Sequence, residues 1–256
     1  MVSFLVFVFG LAVGSFLNSV IFRFEQGKSA FVGRSSCPQC SHALAWYDLV
    51  PLLSFLLLQG KCRYCKKQIS WQYPLVELAT GILFVLVFRH LNFEFGLLYL
   101  WVIVSLFILI FVYDLKHFII PDQVVYSGIG VAFLYRVFEI WNFGDWDLFR
   151  ISNFEFRILA PLFFLAIYLL SRGRWLGFGD VKLAILMGLF LGWPNILVAL
   201  FFAFFFGALV GLSLIFLKRK TMKSEVPFGP FLVAGTFIAL FWGEHIVNWY
   251  LSLVLV

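Results

Sequence analysis

Eight long apolar segments follow one another along the chain, and they constrain its fold more than any other feature. Hydrophobic residues make up 63% of the 256 residues and charged residues only 12%, whereas a soluble domain carries about 25% charged residues. Two segments, 156–171 and 181–193, are shorter than the ~20 residues of a full membrane span. We predict an all-α polytopic membrane protein with about eight transmembrane helices, within residues 2–22, 73–90, 95–113, 123–141, 156–171, 181–193, 195–217 and 230–256.

The segments divide the chain into three parts. Residues 1–22 are predicted to form the first transmembrane helix, residues 23–72 a polar insertion, and residues 73–256 a membrane core of about seven helices. No basic stretch precedes the first apolar segment, and no convincing small-residue cleavage site follows it. We therefore expect this helix to be retained rather than removed as a signal peptide.

The distribution of Lys and Arg predicts the orientation in the membrane. Of the 19 basic residues, 15 fall on the side of the 23–72 insertion and 4 on the opposite side. Because positive charge marks the cytoplasmic side, the insertion is predicted inside and both termini outside. The basic loop 218–224 is expected to anchor this topology, with binding of anionic lipid head groups as the alternative. No basic stripe interleaved with aromatic residues indicates nucleic-acid binding.

All four cysteines lie in the insertion, in two pairs separated by 21 residues. Two CxxC turns can supply four thiolates for a tetrahedral Zn²⁺ site, which would be closed and structural. The alternatives are disulfides or free thiols, and a cytoplasmic location argues against stable disulfides. The predicted zinc ligands are Cys37, Cys40, Cys62 and Cys65.

Two aspartates stand at the edges of apolar segments. Asp114 ends the run 95–113, and Asp180 precedes the run 181–193. A carboxylate inside a membrane is costly and marks a functional site by default. The predicted orientation brings both to the cytoplasmic face, where a pair of carboxylates can share a proton and activate water.

Other interpretations of the two aspartates remain open at this point. Membrane carboxylates also serve ion or proton transport. They can form structural salt bridges, here with Lys116 or Lys182, and Asp180 can act as the N-cap of a helix that begins at Val181. The four histidines show no HExxH spacing and the chain has no Gly-x-Ser-x-Gly motif, which argues against a zinc metalloprotease and a serine hydrolase.

Four further residues are candidates for supporting roles. Gly177 and Gly179 can let the backbone approach a substrate, or position the second aspartate. Asp122 can contribute to an active site or cap the following helix. Glu77 is a second acid in an apolar segment, and its alternative role is compensation of a helix dipole.

Taken together, the motifs resemble those of the type IV prepilin leader peptidases, a family of membrane aspartyl proteases. Gly177-Phe178-Gly179-Asp180 is similar to the GxGD signature, Asp114 with its downstream Ile120-Pro121-Asp122 to the first catalytic aspartate, and the paired cysteines to the zinc insertion of bacterial members. The resemblance extends from about residue 10 to about residue 235. Other segments that resemble the family are 14–20, 46–51, 69–70, 73–77 and 227–232.

The resemblance implies that the chain removes the leader of type IV prepilins or pseudopilins in the bacterial inner membrane. One aspartate, ionised, would take a proton from water and the other, protonated, would donate to the scissile carbonyl, with Lys182 tuning the pair. Many members also methylate the new N-terminus with S-adenosylmethionine, for which Glu77 and the insertion are the candidates. The competing hypothesis is a membrane transporter or assembly scaffold that uses the acids for ions and zinc for docking.

Overall fold

The computed structural model describes residues 1–29, 33–91, 96–143, 148–217 and 226–254, most of them helical. Within these residues there is no β-strand, only the isolated bridges Ser36–Ala43 and Lys61–Gln68. A short 3-10 turn spans Trp46–Asp48. The helices are α1 (Val2–Glu25), α2 (Leu53–Leu57), α3 (Gln72–Leu91), α4 (Gly96–His117), α5 (Asp122–Phe143), α6 (Leu148–Ser171), α7 (Phe178–Leu191), α8 (Asn195–Phe216) and α9 (Gly229–Val254).

Each of the eight predicted apolar segments coincides with one helix, and within the part of the chain that the structure describes five helices are long and apolar enough to cross a membrane. These are α1, α3, α4, α8 and α9. Large apolar side chains such as Phe4 and Phe201 are more than half exposed along them, as expected where lipid replaces water. The chain is therefore an all-helical membrane protein. Helix α7 has only 14 residues, and α5 carries charged side chains at Arg136 and Glu139.

The chain divides into two compact units, Met1–Leu109 and Ile110–Val256, with the boundary inside α4. In the first unit α1 packs along α3. The backbones approach closely because α1 presents glycines to α3: a Cβ at Gly10 would lie 2.8 Å from the Cα of Gly81. Small residues at such crossings are typical of membrane helices. The Asn18 side-chain amide donates to the Tyr73 carbonyl at 3.0 Å and fixes α1 against the start of α3.

In the second unit the short helix α7 contacts α5, α6, α8 and α9. Nine of its 14 residues are buried, and they lie on all sides of the helix. A helix that is apolar all round is expected in such a central position. Its C-terminus is held by Arg136 of α5, whose guanidinium donates to the carbonyls of Leu189 (3.3 Å) and Phe190 (3.0 Å). A cation there also opposes the partial negative charge of the helix end.

Two predicted boundaries differ from the structure. Helix α7 begins at Phe178 with Gly177 as N-cap, so the prediction that Asp180 caps a helix starting at Val181 was wrong. Gly179 lies within the helix, whereas Gly177 has extended backbone (φ −74°, ψ 150°) and precedes it. Helix α6 starts at Leu148, inside the polar stretch that separates the predicted apolar segments 123–141 and 156–171. The basic loop 218–224 lies outside the described residues.

Candidate functional site

Asp114 sits in the last turn of α4 and is 4% exposed. The backbone N–H of Gly229, the first residue of α9, donates a hydrogen bond to its carboxylate. The approach is close: a Cβ at Gly229 would lie 2.5 Å from Oδ2 and 3.1 Å from Cγ of Asp114. The N-terminus of α9 therefore offers this carboxylate an amide donor and a favourable dipole.

Asp180 is the third residue of α7 and is 9% exposed. Its Oδ2 accepts a hydrogen bond from the backbone N–H of Gly177 at 3.2 Å. This is the side-chain half of a capping box, in which the third helical residue reaches back to the N-cap. A capping role and a chemical role are compatible here, because Oδ1 is not used by the cap.

The structure brings the two aspartates near each other in the second unit, where their charges interact. The Ile120 side chain lies close to two glycines that neighbour the aspartates. A Cβ at Gly179 would be 3.1 Å from it, and a Cβ at Gly229 would be 3.3 Å from it. Both glycines thus leave room for the same isoleucine. Two carboxylates buried near each other cannot both ionise easily, and such a pair holds one proton between them.

Lys182, one turn into α7, pairs with Asp122 rather than with Asp180. Its Nζ donates to Asp122 Oδ1 at 2.6 Å and lies 5.0 Å and 5.3 Å from the ring centres of Phe178 and Tyr126. Asp122 is the first residue of α5. The pair therefore ties the starts of α5 and α7 together beside the aspartates.

In the first unit the four cysteine Sγ atoms all lie within 4.8 Å of one another. Cys37 and Cys62 are buried, Cys65 is half-buried and Cys40 exposed. A tetrahedral zinc site with Zn–S bonds of about 2.3 Å requires sulfur atoms about 3.8 Å apart. The Cys37–Cys65 separation of 3.9 Å fits that geometry.

The two cysteine turns repeat one backbone design. The amide of each leading cysteine donates to the carbonyl five residues on, His42 for Cys37 (3.0 Å) and Lys67 for Cys62 (2.9 Å). Ser41 and Lys66 occupy the same place in the two turns, both with positive φ, 57° and 60°. This equivalence supports the prediction that the two turns act as a pair.

The thiols differ in their surroundings. Burial raises the pKa of Cys37 to about 11. Burial acts in the same direction on Cys62, but the amides of Cys65 and Tyr64 and neighbouring thiols outweigh it and bring its pKa to about 7.

Asp48 connects the second cysteine turn to the 3-10 turn. Its carboxylate accepts from Arg63 Nε (2.7 Å), the Tyr64 hydroxyl (3.2 Å) and the Ala45 amide (3.3 Å). Burial alone would raise the pKa of Asp48, but these donors and the Arg63 charge hold it below its ordinary value. The acid is thus a structural link of the insertion.

Comparisons with known proteins cover both units. Residues 8–91 match the Bacterial Peptidase A24 N-terminal domain, and residues 101–212 match the Type IV leader peptidase family. The chain is 34% identical to the prepilin leader peptidase/N-methyltransferase of Aeromonas salmonicida strain A449, with 98% of this chain and 94% of that protein covered.

This chain belongs to the type IV leader peptidase family. Proteins with the same printed name from Legionella pneumophila and Bacillus subtilis strain 168 are 32% and 31% identical, and they cover 96% and 98% of this leader peptidase and 93% and 98% of their own lengths. No solved structure matches the chain. The resemblance stated from the motifs is confirmed.

Glu77 of this leader peptidase lies in the first unit, in the first turns of α3, and is 7% exposed. Its Oε2 accepts from the backbone N–H of Leu52 at 2.8 Å, next to the short helix α2. A partner outside its own helix makes helix-dipole compensation an incomplete account of this acid.

The sequence did not assign individual roles to Gly229, Ile120 or Asn18, although all three fall within the motifs quoted for the resemblance. A glycine or an isoleucine carries no chemical signal of its own, since its contribution is space and packing. Only the tertiary contacts identify them. Asn18 is 2% exposed, and its Oδ1 has no hydrogen-bond partner within the described residues.

Proposed function

We propose that this leader peptidase removes the leader peptide of type IV prepilins or pseudopilins by aspartyl chemistry at Asp114 and Asp180, and methylates the new N-terminus. The observation that carries the peptidase proposal is the pair of buried, interacting carboxylates. Each accepts a hydrogen bond from a backbone amide, and neither has a cationic partner among the described residues. The relatives' printed names, prepilin leader peptidase/N-methyltransferase, support both activities.

The proposed mechanism uses one shared proton. The ionised carboxylate takes a proton from a water molecule, which attacks the scissile carbonyl carbon, while the protonated carboxyl donates its proton to the carbonyl oxygen. Collapse of the tetrahedral intermediate breaks the C–N bond. The amine nitrogen receives a proton from the carboxyl that first accepted one, and the other carboxylate takes a proton back from the hydroxyl that becomes the new carbonyl. The backbone amides of Gly177 and Gly229 hold the carboxylates in place. The Lys182–Asp122 pair fixes the helix starts around them.

The proposed placement is the bacterial inner membrane, with about eight transmembrane helices and both termini outside. Residues 1–22 form the first helix, residues 23–72 the cytoplasmic insertion and residues 73–256 the membrane core that carries the aspartates on the cytoplasmic side. The excess of basic residues on the side of the insertion supports this orientation. A basic prepilin leader would then meet the aspartates from the cytoplasm.

The proposed metal is Zn²⁺, held by Cys37, Cys40, Cys62 and Cys65. Four thiolates in a closed tetrahedral set leave no open position, so the ion would stabilise the insertion without taking part in catalysis. The clustered sulfur atoms and the repeated turns support this assignment.

S-adenosylmethionine is the proposed methyl donor, and it would supply the methyl group for the freed amine. Glu77 fits a cationic donor, because it is a buried acid on a cavity wall and forms no ion pair within the described part of the chain.

The deciding experiment is cleavage of a prepilin in membranes by the wild type and by Asp114→Asn and Asp180→Asn made singly. Each variant keeps the shape of the side chain and is expected to lose leader removal by at least about 10³-fold, as for groups that act as a unit. The control is membrane insertion, measured as the amount of each variant in the membrane fraction. Retained cleavage in either variant would refute the aspartyl mechanism at that position. Ion-coupled flux without cleavage would favour the transporter.

A further inference from the structure

The short helix α2 of the insertion carries a row of exposed leucines along one side. Leu53, Leu56 and Leu57 are 58%, 67% and 82% exposed, and their spacing of three and four residues places them on one face of the helix. Ser54 and Leu58, on the other side, are half-buried and line a cavity of the first unit. A contiguous exposed apolar face marks a contact surface for a protein or a membrane.

Contacts from two of its residues hold α2 beside the start of α3. The backbone N–H of Leu52, the N-cap residue of α2, donates to the Glu77 carboxylate at 2.8 Å. The Phe55 ring packs edge-on against the Trp71 indole, with ring centres 5.2 Å apart. Because α3 is long and apolar enough to cross a membrane, α2 is held where that helix would enter the membrane.

Trp71 stands at the head of an exposed apolar stripe on α3. The Leu75 N–H donates to the Trp71 carbonyl at 3.2 Å, so Trp71 is in register with the helix that follows. Exposed side chains continue at helical spacing through Trp71, Leu75, Leu78, Ile82 and Leu86. Such a stripe faces lipid, and a tryptophan at its end is typical of the membrane–water interface. The leucines of α2 therefore lie close to the level of the lipid head groups.

The charges near α2 also match a lipid surface. The segment 51–71 contains four basic residues and no acidic residue. Lys61, Lys66 and Lys67 are exposed, whereas Arg63 pairs with Asp48. Lysines next to an apolar face are attracted to anionic lipid head groups. A membrane surface thus satisfies both the apolar and the charged side chains of this segment.

A protein partner fits the leucine face less well. A stable protein–protein interface buries about 800 Å² on each partner, whereas α2 is only five residues long and offers three leucines. The membrane needs no such area, because α1 and α3 already tether the insertion to it. Tethering makes the contact intramolecular and raises its effective concentration.

We propose that α2 lies in the head-group layer of the membrane, with Leu53, Leu56 and Leu57 directed toward the acyl chains. The helix is then a third attachment point of the insertion, in addition to α1 and α3. It holds the two cysteine turns at the membrane surface instead of leaving them free in the aqueous phase. The proposal goes beyond the proposed function and depends neither on the aspartate chemistry nor on methylation.

The test replaces Leu57, Leu75 or Gln39 singly by photoreactive benzoyl-phenylalanine in the full chain, in vesicles of phosphatidylethanolamine and phosphatidylglycerol. Leu75 is the lipid-facing control, and Gln39, exposed in the first cysteine turn, is the water-facing control. After irradiation, mass spectrometry counts the lipid adducts. An interfacial apolar face lies about 5–10 Å deep, so we expect at least about tenfold more adducts at Leu57 than at Gln39, and a yield within about threefold of that at Leu75.

A second measurement asks whether the leucines themselves hold α2 in the membrane. With the photoreactive group kept at position 57, the double change Leu53→Gln with Leu56→Gln should lower the lipid adducts about tenfold, because two buried leucines are lost. The matched control changes two exposed leucines near the end of α9, Leu251→Gln with Leu253→Gln. This control should leave the adducts at position 57 unchanged.

Lipid adducts at Leu57 no more frequent than those at Gln39 would overturn the proposal. Adducts with protein would overturn it as well. A cross-linked dimer would show a second copy of the chain on this face, and a product that forms only with added prepilin would show the substrate there. Unchanged adducts in the Leu53→Gln, Leu56→Gln variant would also overturn it. If that variant fails to insert, the comparison of Leu57, Leu75 and Gln39 decides alone.

Discussion

Among the residues that the structure describes, single backbone amides rather than cationic side chains hold the two aspartates in place. Gly177 donates to Asp180 and Gly229 donates to Asp114. An amide donor orients a carboxylate without adding a full charge that would fix it in the ionised form. The carboxylates are thus positioned while the pair can still exchange a proton.

Gly229→Ala is the sharpest test at this scale. The added Cβ would lie 2.5 Å from Asp114 Oδ2, so the carboxylate or the start of α9 must move. A misplacement of about 1 Å can lower activity about 10²-fold, and we expect a loss of that order in prepilin cleavage. The control is Gly211→Ala, a helical glycine in α8 whose Cβ would meet nothing within 4 Å. Equal activity in the two variants would contradict the role of Gly229.

Among the elements, α7 depends on its neighbours more than on its own length. A helix of 14 residues is marginal in isolation, and four other helices surround this one. Arg136 satisfies two carbonyls at its C-terminus and pairs with Glu139 at 2.5 Å. The position of Asp180 thus depends on contacts at the opposite end of its helix.

Arg136→Met should loosen α7 while keeping most of the aliphatic stem. Hydrogen bonds to a charged donor are worth about 1.5–3 kcal/mol, and we expect the melting temperature in detergent to fall by several degrees. Arg174→Met, at an exposed position before α7, serves as the control and should melt like the wild type. A melting temperature unaffected by Arg136→Met would show that the guanidinium does not stabilise α7.

Asp48 links two turns of the insertion and gives its stability a pH dependence. The pKa of Asp48 is lowered in the folded chain, so its contribution is present above the unfolded pKa of about 3.9 and is lost as the pH falls through the lower folded value. Wild type and Asp48→Asn should therefore differ in melting temperature above pH 4 and converge below it. A difference that grows on acidification would contradict this assignment.

At the scale of the whole molecule, the apolar helices place the chain in a membrane and the basic residues predict which way it faces. We expect alkaline phosphatase fused after residue 254 to be active, because this enzyme folds only outside the cytoplasm, and the same reporter inserted at residue 28 to be inactive. A fluorescent reporter that matures only in the cytoplasm should give the opposite pattern. An active phosphatase at residue 28, or an inactive one after residue 254, would refute the predicted orientation.

The eight helices were predictable because each apolar run, including the two short ones, is nearly uninterrupted by charge. The helix ends were less predictable. Helix α6 starts at Leu148 inside a polar stretch, and α7 starts three residues before the expected Val181. Polar residues at a helix start satisfy free backbone amides, so the sequence of a helix start resembles that of a loop. The sequences of α2 and the 3-10 turn show no helical periodicity, because each element is only about one turn long.

The sequence alone determined that this chain is helical, enters a membrane, carries a four-cysteine insertion and belongs with the leader peptidases, because hydrophobicity, spacing and motif are written residue by residue. Tertiary structure alone decided which groups meet. It paired Lys182 with Asp122 and placed the Gly229 amide on Asp114. It also buried the Asn18 side chain, whose amide donates to the Tyr73 carbonyl. Such contacts join residues distant in the chain, and they depend on helix packing and on the space left by small side chains, which no local pattern encodes.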